Sequence, residues 1–170
     1  MTHLCQANIE VLNQLIDLIH CCNKCYSTKN GSIAAIGEHT RHILDHYRAV
    51  KSGISNNCIN YNLRTRNSEE EVDTVTAETN ISSLIIWLTN LEYTQDTIQI
   101  ISEISVAEAL DESMESNIER ELLYLINHSI HHLAYAALSA RSLGVEIPNH
   151  IGVAPSTATY RRHHRHKEAS

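Results

Sequence analysis

Apolar residues recur at helical spacing in four separate stretches of this chain, and that period constrains the fold class more than any other feature. Ile9, Leu12, Leu15, Ile16 and Ile19 fall on one face of a helix predicted over residues 3–25, and Asn30-Gly31-Ser32 breaks the pattern. A second helix over residues 32–51 carries Ile33, Ile36, Ile43, Leu44, Tyr47 and Val50 and stops at Ser52-Gly53. Residues 68–93 form the third, with Glu69, Glu70 and Glu71 favourably placed in its first turn and Ile81, Leu84, Ile85, Leu88 and Leu91 as its stripe. The fourth starts near Ser116, with Glu119 completing a capping box. It runs through Leu122, Leu125, Ile126 and Leu133 to Leu143, where Gly144 and then Pro148 end it.

Between the second and third helices, residues 54–67 have no periodicity and read as a long connection. Thr97 to Ile104 is β-rich and partly alternating, which fits a short extended segment or hairpin before the fourth helix. The expected architecture is all-α: one four-helix bundle over residues 1–147, a closing segment over 148–160 packed on it, and a basic, His-rich, disordered tail over 161–170. A chain of 170 residues suits a single domain, and a core without Phe and with one Trp must be built from Ile, Leu, Val and Ala.

The net charge of −7 is uneven, because residues 1–160 hold 9 basic and 19 acidic residues, a net −10. An acidic body argues against nucleic acid, whose phosphates need clustered Lys and Arg. No apolar run approaches the roughly 20 residues of a membrane span, and no charged-then-apolar leader opens the chain. A soluble cytoplasmic protein is the expectation. Cys5, Cys21, Cys22, Cys25 and Cys58 are odd in number, so they read as reduced thiols near a helix end, with Cys22-x-x-Cys25 lacking a second such pair to complete a zinc knuckle.

Histidine carries the chemical signal. His39, His42 and His46 lie within the second helix, and His128, His131 and His132 lie within the fourth. Residues four apart share a helix face, so His128 and His132 can present two imidazoles to one ion, with a third from the earlier helix. Three protein ligands leave a coordination position open, the arrangement of a catalytic site. On spacing alone His39, His42 and His46 all qualify as the third ligand. Unpaired imidazoles on apolar-periodic faces would be costly to bury, which favours a shared purpose. His131 is offset from the His128/His132 line. Glu121, two turns before His128, can pair with Arg41, orient a ligand or act as a base, and Asp45 and Tyr135 project near the cluster.

The stretch Ile36-Gly37-Glu38-His39-Thr40-Arg41-His42-Ile43-Leu44-Asp45-His46 resembles the second-helix motif of the DinB-like metal-binding four-helix bundles. Arg120-Glu121-Leu122 followed by His128-Ser129-Ile130-His131-His132 resembles their last-helix motif, and Gly152 to Thr157 is similar to a closing segment of one subgroup. The resemblance implies a metal held by His42, His128 and His132; three nitrogen donors suit divalent zinc or nickel, and His39 and His46, which share a face with His42 to within about a turn, are each the alternative third ligand or a partner that orients one. It also implies a low-molecular-weight thiol cosubstrate, a small-molecule substrate and S-transferase or isomerase activity. Leu133-Ala134-Tyr135 stands where many relatives place Gly-Gln, a departure that bears on substrate more than on metal. A metal-dependent hydrolase is the alternative enzyme, and a non-catalytic bundle that pairs as a homodimer is the alternative of another class.

Overall fold

The first four helices begin where a side chain accepts from a backbone amide at or near the first turn. In the computed structural model, which describes residues 1–94 and 96–168, Thr2 caps α1 (His3–Cys22) by accepting from the Cys5 amide at 3.2 Å. Glu38 reaches back to the Ala35 amide at 2.8 Å at the start of α2 (Ile36–Asn56). Asp73 caps α3 (Thr74–Thr89), and Asn117 caps α4 (Ile118–Ser142) by accepting from the Arg120 amide at 2.9 Å. Ser116 is therefore not the cap of α4; its hydroxyl turns to Glu121 instead.

The expectation of an all-α four-helix bundle is overturned. The described residues form five helices and a three-stranded mixed sheet. Strand β1 (Cys58–Asn60) pairs parallel with β2 (Thr97–Glu103), which pairs antiparallel with β3 (Asp111–Asn117), in the order β1-β2-β3. The sequence marks β2 as extended, but its partners escape periodicity for physical reasons. Strand β1 is three residues long inside an Asn-rich connection, and β3 is Asp-Glu-Ser-Met-Glu-Ser-Asn, with no apolar alternation because most of it faces solvent. Its extended form comes from pairing with β2, with Thr97 opposite Asn117 and Glu103 opposite Asp111.

The other differences lie at the edges of elements. The expected third helix divides into a single 3-10 turn, Glu69–Glu71, and α3, because the Glu70 carboxylate turns inward to Arg48 and Asn80. Residues 155–168, read as the end of a closing segment and a disordered tail, form helix α5 (Pro155–Glu168), while the last two positions of that tail lie outside the described residues. No helix among the described residues is long and apolar enough to cross a membrane.

Helix α4 packs against α1 and α2, and α3 packs against α1 and α2. Leu12, Leu15 and Ile19 of α1, Ile43, Leu44 and Tyr47 of α2, Ile81 and Leu88 of α3, and Leu122, Leu125 and Leu133 of α4 make the core. Asn8 ties three helices at its centre. Its amide donates to the Leu122 carbonyl at 3.0 Å and its carbonyl oxygen accepts from the Tyr47 hydroxyl at 2.8 Å, so a buried polar group is left satisfied. At the other end Gly152, with φ +71°, brings the closing segment onto α4 so closely that a Cβ there would lie 2.5 Å from the Ala134 amide nitrogen.

Candidate metal centre

Side chains on α2 and α4 meet across the helix interface, and that contact gathers the histidines. His42 and His128 bring their Nε2 atoms to 3.1 Å, and one ligand nitrogen from each of His42, His128 and His132 lies within 4.8 Å of the other two. In tetrahedral zinc with bonds of about 2.05 Å, ligand nitrogens stand about 3.3 Å apart, so the three rings need only small rotations to close on one ion. Those three are the residues the motifs single out. All are half-buried, which puts the cluster at the margin of the interface rather than sealed in the core.

The two alternatives take different places. His39 faces His132, Nδ1 to Nδ1, at 3.1 Å. A His132 that donates from Nδ1 to His39 keeps its Nε2 lone pair free for a metal, which is the orienting contact a ligating histidine needs. His46 is buried between the ring of His128, 3.9 Å away between centroids, and the ring of Tyr61, 5.2 Å away, and its Nδ1 has no hydrogen-bond partner. His131 is exposed and stands edge-on to His132 and Tyr135.

Burial holds these imidazoles neutral. Burial first, and then neighbouring histidines and the Arg64 guanidinium, lower His42 and His132 to about 3, His46 to about 2 and His128 to about 4. His39 is lowered too, first by burial. Neutral imidazole is the ligating form, so the donors fit a borderline divalent cation such as zinc or nickel.

Glu121 does not pair with Arg41. Arg41 binds Asp45 at 2.8 Å and also Glu71, while the fully buried Glu121 accepts from the Tyr61 and Ser116 hydroxyls and from Arg120. Glu121 thus acts on the cluster through Tyr61, whose hydroxyl it holds and whose ring stacks on His46. Burial, then this carboxylate, push the Tyr61 phenol far above its ordinary value, so it stays a donor. Asp45 is buried rather than on the helix surface, and it also accepts from the Thr65 amide at 3.1 Å.

Sequence reasoning missed Tyr61, Tyr124 and Arg64. Tyr124 is four residues before His128 and stacks on it at 5.3 Å, a placement that helix spacing could have revealed. Tyr61 and Arg64 sit in the aperiodic connection after β1, where no sequence pattern points inward.

No family model matches this chain, and no solved structure matches it. Among curated proteins it is 33% identical to FK506-binding protein 5 of the fungus Rhizopus delemar over 101 residues, which are 58% of this chain and 26% of that protein. The chain spans about a quarter of the length of the curated relative it matches.

Proposed function

We propose that this protein binds one divalent metal through His42, His128 and His132 and acts on a small molecule as a DinB-like thiol S-transferase. The convergence of three neutral ring nitrogens within 4.8 Å of one another carries the reading. The motif resemblance on α2 and α4 supplies the reaction class. A divalent cation in such a site supplies Lewis acidity to a thiol, or to water in the hydrolase alternative. The chain's own residues supply the rest: His39 orients His132, Tyr61 and Tyr124 brace His46 and His128, and Glu121 fixes Tyr61.

The test is metal content by elemental analysis of the full-length chain with His163, His164 and His166 changed to Ala, so that tail histidines capture nothing. The expected result after zinc or nickel loading is about one metal per chain, lost in the variant that also carries His128→Ala and His132→Ala. Absence of metal from the first protein would overturn the reading and leave a non-catalytic domain. Ligand binding of the kind named for the fungal relative is the reading that its partial likeness brings, and an FK506 titration of the same protein decides it.

A further inference from the structure

Helix α5 turns opposite faces to two clefts. Ala158, Thr159 and Arg162 line the first, between α5 and α1. Tyr160, Arg161 and His164, spaced three and four residues apart, line the second, and Arg161 borders both. The second cleft has a volume of about 780 Å³ and is walled on its far side by Ala134 and Arg141 of α4 and by Asn149 to Val153 of the closing segment. That wall is held in place: Ile151 is buried, the Gly152 amide donates to the Gln14 side-chain oxygen at 3.1 Å, and Gly152 lies against the Ala134 backbone.

No Asp or Glu among the described residues lines this second cleft, whereas Glu10 lines the first. Arg141 donates to the Ile147 carbonyl at 3.4 Å and has no carboxylate within ion-pair reach among the described residues. A cation in the last turn of α4 suits the helix dipole, and that accounts for Arg141 taken alone. It does not account for a second guanidinium that lines the same space from α5 without an acid there, in a chain whose net charge is −7. Two like charges around one cleft repel unless something negative joins them.

We propose that this cleft binds the phosphate group of a small molecule, with Arg141 and Arg161 as its cationic contacts and the Asn149 amide as a neutral donor. A phosphate carries about −1.5 to −2 charges at pH 7 and three acceptor oxygens, so it engages two guanidiniums where a carboxylate has a single charge to share. The exposed Tyr160 ring, packed on His164 with centroids 3.8 Å apart, and Val153 offer apolar surface to the rest of the molecule. None of His42, His128 and His132 lines the cleft, so the site stands independently of the metal reading.

Isothermal titration of the full-length, chelator-treated protein with inorganic phosphate at fixed ionic strength tests this, with acetate as the singly charged comparison. Phosphate affinity is expected to fall about tenfold in Arg141→Gln and in Arg161→Gln, and less in Arg141→Lys, which keeps the charge without the fork. Arg162→Gln, on the opposite face of α5, should leave it unchanged, and the parent should bind acetate more weakly than phosphate. Absence of phosphate binding, equal affinities in the parent and either cleft variant, or acetate binding as tight as that of phosphate would overturn the assignment. So would a loss in Arg162→Gln as large as that in Arg161→Gln, which would mean that the basic helix attracts anions without a site.

Discussion

His39 and His132 meet Nδ1 to Nδ1 at 3.1 Å, an arrangement in which one ring must donate and the other accept. It couples the tautomers of the two rings, so that a His132 ligating through Nε2 donates from Nδ1 to His39, without placing His39 among the three gathered nitrogens. Replacing His39 by Ala should therefore weaken zinc binding about 10- to 100-fold while leaving one site per chain. His42→Ala should remove the site altogether. Competition titration with a chromophoric chelator separates the two outcomes, and equal losses in both variants would show His39 to be a ligand.

The buried imidazoles make stability depend on pH in a defined direction. Their folded values of about 2 to 4 lie below the 6.5 of an ordinary histidine, so between these limits the unfolded chain binds more protons than the folded one. Stability of the metal-free protein is full above about pH 6.5 and should decline as the pH falls from there toward 4. Urea midpoints at pH 7, 5.5 and 4.5 measure the slope. His46→Gln should flatten it, and an unchanged slope in that variant would show that His46 is not held neutral.

Glu121 is fully buried and accepts three hydrogen bonds. Glu121→Ala strands the Tyr61 hydroxyl in the interior and should cost about 2–3 kcal/mol. Because Tyr61 stacks on His46, near-ultraviolet circular dichroism of the tyrosines should change as well. Chemical denaturation showing a loss below about 0.5 kcal/mol would mean that water replaces the carboxylate there.

Gly152 and Gly144 both have left-handed backbone, at φ +71° and +81°, but only Gly152 faces another backbone at close range. Ala at position 144 meets open space and should cost about 1 kcal/mol through backbone strain alone. At position 152 Ala must also push the closing segment off α4, so its melting temperature should fall further. Equal melting temperatures for the two variants would show that the segment is not seated on Ala134.

Helices α1 to α4 and the histidines were legible in the sequence because both obey one period, whereas α5, with no apolar stripe, was not. Leu12, Leu15 and Ile19 mark a buried face by spacing alone, and His128 and His132 share a face for the same reason. The sheet was only partly legible. Ile98 and Ile100 alternate and are buried, but β3 takes its form from its pairing with β2 rather than from its own residues. The surroundings of the cluster were the least legible part, since Tyr61 reaches it from the end of β1, which is held by its pairing with β2, a long-range contact that leaves no local pattern.

That parallel pairing sets Cys58 beside Gln99 with the whole of α3 between them, and His42 lies 86 residues from His128. Contacts so distant along the chain are costly in loop closure and form late in folding, after the local helices. A cation that needs all three imidazoles thus meets them only once the protein is nearly native. Zinc should therefore leave the refolding rate almost unchanged and slow unfolding instead, which stopped-flow kinetics with and without the metal would read directly.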